Sequence, residues 1–221
     1  MQKQDFRKPN NTLKWIVVTI ILITVIIGGS FVSGTFYPNV WTVEKIEAEV
    51  HKKELNQVKL LGLREPEFEY TDKTSFLLAT SKCVEYLNYT TDRLSRVPTS
   101  IIIAMAGVES GWGTSRFANE GNALFGVRTW DLKNVAHMKA KGNPDASWGV
   151  KKYKTKCQSV HDMIKILNRH PAYKEFRIER EKQLDSGKWN YRTLMVLMNA
   201  WSTNPDYHEI ILQAIVDNKL P

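Results

Sequence analysis

The stretch VPTSIIIAMAGVESGWGTSRFANEGNALFG, residues 97–126, decides the fold, because it contains an uncharged apolar helix that ends in a single acid. Residues 98–108 carry no charge, and their apolar side chains recur at the i, i+3, i+4 and i+7 spacing of a core-facing helix. Gly111 and Gly113 predict the end of that helix just after Glu109. We therefore expect the Glu109 carboxyl at the edge of the core, where partial loss of water raises its pKa and suits it to general acid catalysis.

Three motifs follow one another in this stretch and together form an ordered set. They are ESGWG at residues 109–113, SRFA at 115–118 and GNALFG at 121–126. The set resembles the glucosaminidases of glycoside hydrolase family 73, and most closely their bacterial Bax-like subgroup. Two downstream segments extend the resemblance, NRHPAYKEFR at residues 168–177 and WSTNPDY at 201–207.

The resemblance covers residues 71–221 and implies an α+β, mainly α, lysozyme-like domain with a helical lobe and a small β lobe. The periodicity of the chain fits this fold, because it predicts helices with short extended runs between them. The helices are expected at about 74–89, 98–110, 159–169, 173–184, 190–199 and 206–217. The extended runs are 125–128 and 148–153, which predict a hairpin or irregular lobe with a long loop at 134–147.

The N-terminal part of the chain has a different composition. Residues 15–43 are uncharged, and about 20 apolar residues are enough to cross a bilayer. The basic residues that precede them place the N-terminus in the cytoplasm by the positive-inside rule. We predict a cytoplasmic tail at 1–14, a transmembrane anchor at 15–36, a stalk or linker at 37–70 and the glucosaminidase domain at 71–221.

Two alternatives to this organisation stay open on the sequence. A cleaved signal peptide is the rival to the anchor, because small residues follow at 28–30 and 33–34. The stalk is either a short helix at 44–65 or a mobile linker, since an isolated short helix is marginal in water.

Charge and cysteine content narrow the set of partners. The net charge of +8 fits attraction to the anionic polymers of a cell envelope, and the chain shows no nucleic-acid-binding motif. Cys83 and Cys157 are the only cysteines, without a CxxC spacing, so we predict no metal site and no cofactor. The two cysteines either form one disulfide or are separate buried thiols.

Glycoside hydrolysis usually requires two carboxyl groups, and only the first is evident here. The resemblance implies that Glu109 is the general acid. The second acid that many family members carry in the β lobe is missing, because there is no Glu between Glu120 and Tyr153. Three explanations remain: Asp131 or Asp145 is the base, the 2-acetamido group of the substrate acts as the nucleophile, or the domain binds without cutting. We favour the acetamido route.

Aromatic and amide side chains in or beside the matched motifs are the other candidates for the site. Flat apolar rings suit the faces of sugars, although each ring also fits a role in the core. Tyr207 is predicted to be catalytic, because the family carries a tyrosine near the acid. The predicted substrate-binding residues are Trp112, Asn122, Phe125, Trp148, Tyr153 and Trp201.

These observations predict an exported, membrane-anchored peptidoglycan hydrolase that cuts β-1,4 bonds of the N-acetylglucosamine/N-acetylmuramic acid strand as an endo-β-N-acetylglucosaminidase. A muramidase or lytic transglycosylase is the alternative enzyme. The alternative without catalysis is a wall-binding scaffold module of an envelope machine. The predicted partners are peptidoglycan strands and, through the N-terminal helix, the membrane; no nucleic acid is expected.

Overall fold

The computed structural model describes residues 11–36, 40–60 and 62–221, and the chain divides into two compact units, Met1–Val50 and His51–Pro221. Helix α1, Asn11–Phe36, contains a window, Lys14–Phe31, that is long and apolar enough to cross a membrane. A membrane anchor and a signal sequence both meet that test. Helix α2 spans Val40–Leu60 and therefore begins and ends a few residues before the predicted 44–65.

The second unit is mainly helical, as predicted. Its helices are α3 (Lys73–Thr90), α4 (Thr99–Ser110), α5 (Arg116–Gly121), α6 (Lys156–Arg169), α7 (Lys174–Ser186), α8 (Tyr191–Val196) and α9 (Tyr207–Asp217). Short 3-10 turns lie at Arg93–Ser95, Pro171–Tyr173 and Asn199–Trp201. The predicted helix at 190–199 is therefore shorter than expected, because the chain changes to 3-10 geometry after Val196.

Helix α4 lies at the centre of the helical lobe and packs against α3 and α9. Its residues from Ser100 to Gly107 are all buried, so the helix is covered on every side rather than on one face. Burying each isoleucine of its Ile101–Ile103 run contributes about 1.5–3 kcal/mol. The charge-free composition of α4 follows from this position, because an unpaired charge inside the core is strongly unfavourable.

The β lobe is a three-stranded antiparallel sheet in the order β1-β3-β2. Strand β1 is Arg128–Thr129, β2 is His137–Met138 and β3 is Gly149–Lys151. Val150 of β3 pairs with Arg128 on one side and with Met138 on the other. The predicted hairpin is thus present, but the expected loop at 134–147 contains the third strand. Two residues are too few to show a period-2 pattern, so pairing with β3 determines this strand.

Cys83 of α3 and Cys157 of α6 form a disulfide, with their Cα atoms 5.6 Å apart. Both cysteines are buried, at 0% and 1% exposure. The sequence allowed either one disulfide or two separate buried thiols, and the structure has the disulfide. It joins residues separated by 74 positions, and closing a loop of that size contributes about 4 kcal/mol in the chain-entropy description.

Candidate active site

Glu109 lies in the last turn of α4, and the turn that follows holds it at the edge of the core. Gly111 ends the helix with φ 58°, and Gly113 has φ 85°, both in the left-handed region that glycine adopts without strain. Ser110 fastens the turn, because its hydroxyl donates to the Ala106 carbonyl and accepts from the Gly113 N–H at 2.8 Å. The predicted end of the helix is thus correct.

Trp112 occupies a strained position in the same turn. Its φ is 55°, which costs a residue other than glycine on the order of 1–3 kcal/mol. The indole packs directly on α4: a Cβ added at Gly107 would lie 2.2 Å from the ring. Lys73 lies over the same ring, 4.0 Å from its centroid. Close packing against Gly107 therefore holds Trp112 on the helix that carries Glu109.

Two side chains from the C-terminal part of the chain donate to the same oxygen of Glu109. The Tyr207 hydroxyl lies 2.7 Å from Oε1, and the Trp201 indole N–H lies 3.1 Å from it. Within the described residues, Oε2 receives no hydrogen bond. The residue as a whole is exposed, so an incoming molecule can reach it. One carboxylate oxygen is therefore held by the protein and the other is free for chemistry.

The shifted pKa values at this site suit Glu109 to act as an acid and Tyr207 to remain a neutral hydrogen-bond donor beside it. Burial of the carboxyl among protein atoms raises the pKa of Glu109, and the hydrogen bonds from Tyr207 and Trp201 lower it by less. The residue has an exposed side, but its carboxyl group lies close to many protein atoms, and this proximity raises the pKa. Burial, together with the neighbouring Glu109 carboxylate, raises the pKa of Tyr207, so that hydroxyl stays protonated and remains a donor.

Aromatic rings surround Trp201 and extend the site away from Glu109. Phe125 and Tyr173 each have ring centroids 6.4 Å from Trp201. Phe125 is buried behind the indole, at 3% exposure. Tyr173 was not among the predicted site residues, although it belongs to the matched HPAY motif, which was the signal that could have identified it. The structure thus brings Glu109, Tyr207, Trp201 and Phe125 together.

The other predicted site residues have partners elsewhere in the protein. The Asn122 amide donates to the carbonyls of Tyr153 and Lys154, at 3.1 and 3.0 Å, from a left-handed position that ends α5. The Tyr153 hydroxyl donates to Asp162 at 2.7 Å. The Trp148 ring lies 4.2 Å from the Arg128 guanidinium. Sugar contacts by these three residues and by Trp112 stay predictions.

The two aspartates proposed as bases differ in their surroundings. Asp131 accepts hydrogen bonds from the backbone and side-chain nitrogens of Asn134, each at 3.1 Å, and so stabilises its own loop. Asp145 is exposed in the loop between β2 and β3. A group of three or more His, Cys, Asp or Glu side chains able to hold a metal ion is not found in the described part of the chain.

Comparison with known proteins identifies relatives of the second unit. Residues 89–220 match the glucosaminidase family, described as mannosyl-glycoprotein endo-beta-N-acetylglucosaminidase. The chain is 30% identical over 132 residues to the protein bax of Escherichia coli strain K12, an alignment that covers 58% of this chain and 45% of the relative. It is 29% identical over 126 residues to the exo-glucosaminidase LytG of Bacillus subtilis strain 168, covering 53% and 43%.

The chain thus spans less than half the length of these curated relatives. A solved structure supports the fold: the catalytic domain of the autolysin Auto from Listeria monocytogenes superposes with a TM-score of 0.51. Identity to that chain is 18%, and the match covers 76% of this chain and 94% of the other.

The hydrogen bond from Trp201 gives a testable pKa shift. A donor to the ionised carboxylate favours the charged form, so Trp201→Phe should raise the pKa of Glu109 further. Titration of the Glu109 carboxyl followed by carbon NMR measures the change. Trp130→Phe, a change at an exposed indole of the β lobe, is the control and should leave the titration where it is. An unchanged or lowered pKa in Trp201→Phe would contradict the assigned hydrogen bond.

Proposed function

Since this chain belongs to the glucosaminidase family of glycoside hydrolases, we propose that it hydrolyses the glycan strands of peptidoglycan with Glu109 as general acid. The single observation that carries the proposal is the Glu109 carboxyl, which has a raised pKa, one oxygen held by two donors and the other free. An acid of this kind keeps its proton nearer neutral pH and delivers it from a fixed position.

The two donors also determine which oxygen carries the proton. Oε1 already accepts from Tyr207 and Trp201, so a proton on Oε1 would displace at least one of these hydrogen bonds. The proton is therefore favoured on Oε2. From there it passes to the glycosidic oxygen as the bond to the anomeric carbon breaks, and Glu109 is left as a carboxylate. That carboxylate then accepts a proton from the water that completes hydrolysis.

The acetamido group of the substrate supplies the nucleophile in our proposal. Its carbonyl oxygen attacks the anomeric carbon and forms a cyclic oxazolinium intermediate, which water then opens. Support comes from the β lobe, where the Asp131 carboxylate is engaged by Asn134 and is thus occupied in its own loop. A base at Asp145 remains the competing possibility, and the substitutions below test it.

Tyr207 takes part through its hydroxyl. Its single proton is donated to Glu109, which leaves the Tyr207 oxygen free to accept a hydrogen bond. An acetamido N–H from the substrate can donate to that oxygen without breaking the bond to Glu109. Such a contact would turn the acetamido carbonyl toward the anomeric carbon. Tyr207 is then both a positioning residue for the acid and a guide for the nucleophile.

We propose the N-acetylglucosamine side of the strand as the point of cleavage, in the endo mode. The family match to an endo-β-N-acetylglucosaminidase supports this choice. The LytG relative is an exo-glucosaminidase, so the family includes both modes. The alternatives are a muramidase, a lytic transglycosylase and a non-cutting wall-binding module. Product analysis separates them, because they leave a reducing-end muramic acid, an anhydro-muramic product and no released product, respectively.

We also propose that α1 is an uncleaved anchor and that the second unit works outside the cytoplasm. The window Lys14–Phe31 has the length and composition of a membrane span, and basic residues precede it in the sequence. The Cys83–Cys157 disulfide fits an oxidising compartment. The predicted boundaries at residues 15, 37 and 71 remain part of this proposal.

The first test removes the acid while keeping the shape of its side chain. Glu109→Gln should lower the rate of sacculus hydrolysis by about 10²–10⁴-fold, the contribution of a general acid. Glu120→Gln, a change at an exposed glutamate in α5, is the matched control and should retain activity. The wild type should release fragments with N-acetylglucosamine at the reducing end. Activity of Glu109→Gln within a few-fold of wild type would remove Glu109 from the mechanism.

A stability measurement shows whether that variant is folded. Because burial raises the pKa of Glu109, its ionisation destabilises the folded state once the pH rises above the pKa of the unfolded chain. Glu109→Gln should therefore be at least as stable as wild type at pH 7, and this advantage should vanish at acidic pH. Denaturant unfolding at the two pH values measures the difference.

A second set of substitutions tests the missing base. If the acetamido group attacks, Asp131→Asn and Asp145→Asn should each cost less than roughly tenfold in kcat/KM, since neither carboxylate takes part in the chemistry. Tyr207→Phe should cost more than either. A thiazoline analogue of N-acetylglucosamine should inhibit, because it resembles the cyclic intermediate. Loss of activity in one aspartate variant, with a mild effect of Tyr207→Phe, would instead establish a mechanism with two carboxylates.

The anchor is tested on the mature protein. We expect the intact chain, with its N-terminus retained, to stay in the membrane fraction after carbonate washing, because α1 holds it in the bilayer. A reporter fused after Val43 should be active only outside the cytoplasm. Mass spectrometry that finds a mature chain beginning near residue 31 or 35 would show a cleaved signal peptide instead.

A further inference from the structure

An open cavity of about 430 Å³ lies between strand β3 and the C-terminal half of α6. Lys151 and Asp162 form part of its lining, and Lys165, Arg169 and His170 form another part. Ile166 and Pro171 add apolar surface. The charged side chains of the lining are therefore mainly basic, with one carboxylate, and the rest of the lining surface is apolar.

Ring contacts connect this cavity to the catalytic carboxyl. The His170 imidazole lies 5.7 Å from the Tyr173 ring, centroid to centroid. Tyr173 in turn lies 6.4 Å from Trp201, whose indole N–H donates to Glu109. A series of side-chain contacts thus runs from the lining of the cavity to the catalytic carboxyl.

The carboxylate of the cavity is already neutralised by the protein. Asp162 Oδ2 accepts from Lys151 Nζ at 2.9 Å and from the Tyr153 hydroxyl at 2.7 Å. Lys165 and Arg169, by contrast, form no ion pair within the residues that the structure describes. Two positive charges therefore remain available to an anion in the cavity.

Helix stability accounts for only part of the position of these two cations. Lys165 and Arg169 are four residues apart on α6, where like charges repel and destabilise a helix. A basic residue near a helix C-terminus is often explained by its interaction with the last carbonyls. Here Arg177 performs that task, since it donates to the carbonyls of Leu167 and His170 at 3.0 and 2.9 Å. The helix dipole favours Arg169 in the last turn, but neither it nor capping accounts for Lys165 one turn earlier.

We propose that this cavity binds the free carboxylates of the peptide stem that muramic acid carries, an inference that rests on the proposed hydrolysis of peptidoglycan. Arg169 can form a bidentate contact with a carboxylate, and Lys165 adds a second charge. Ile166 and Pro171 offer apolar contact to the aliphatic parts of the stem. The acid at Glu109 acts on the glycan while the cavity selects strands whose stems are charged.

The test compares two substrates that differ only in stem charge. Full-length protein in detergent is given sacculi in their native form and sacculi whose stem carboxylates have been converted to amides. The measured quantity is the ratio of kcat/KM on native to kcat/KM on amidated sacculi. Wild type should prefer the native form, and Lys165→Gln/Arg169→Gln should lower the ratio by about three- to tenfold, the size of two partly exposed ion pairs.

The control variant carries the same change in net charge. Lys82 and Lys188 are exposed on other parts of the domain, so Lys82→Gln/Lys188→Gln should keep the wild-type ratio. An equal fall in both double variants would overturn the proposal, because it would indicate long-range attraction by net charge. A wild-type enzyme without any preference would overturn it as well.

A binding measurement separates this inference from the proposed function. A free tetrapeptide stem should bind the full-length chain more tightly than its amidated form, and the Lys165/Arg169 double variant should lose that difference. Such binding would support the cavity even if no sacculus were cut, in which case only the hydrolytic function would fail. Equal binding of both peptides, or tighter binding of inorganic phosphate than of the stem, would overturn the peptide assignment.

Discussion

Tyr207 and Trp201 donate to one oxygen of Glu109 from positions 98 and 92 residues further along the chain, and the geometry of the site depends on this convergence. Helix α9 must pack on α4 for the Tyr207 hydroxyl to reach the carboxyl, and the 3-10 turn at Asn199–Trp201 must place the indole beside it. The buried helix α4 provides the fixed reference for both. The acid is thus oriented by tertiary structure, whereas its position at the end of a helix is local.

That distinction explains how much of the molecule could be predicted from its sequence. The charge-free run before Glu109 and the glycines after it are local signals, so the helix and its end were predicted correctly. The family motifs also indicated the α+β fold. Strand β2 was missed, because two residues carry no periodicity and the pairing with β3 creates the strand. The shared oxygen of Glu109 could not be predicted either, since sequence does not reveal which atoms meet across the core.

The β lobe shows that a residue near a sequence motif need not face the substrate. Asn122 stands in a matched motif and Trp148 and Tyr153 in the β lobe that follows it, and the structure shows each of them engaged with a neighbour inside the protein. The Asn122 amide connects the end of α5 to the segment after β3, and Tyr153 connects that segment to α6 through Asp162. Asn122 and Tyr153 therefore connect the β lobe to the helical lobe, in addition to any contact that they make with sugar. Tyr173, which was not predicted as a site residue, lies beside the site because its ring packs near Trp201.

The disulfide between α3 and α6 has a consequence for the timing of assembly. If the second unit is exported as we propose, the chain lacks the bond between these two helices until it leaves the cytoplasm, because thiols stay reduced in most cytoplasms. Such a precursor remains less stable than the finished domain and is easier to pass through a secretion channel in an unfolded form. In the proposed topology, oxidation outside the cytoplasm would then complete the domain. A glycan-cutting activity of this domain would in this way reach full stability only after it has left the compartment in which the chain is made.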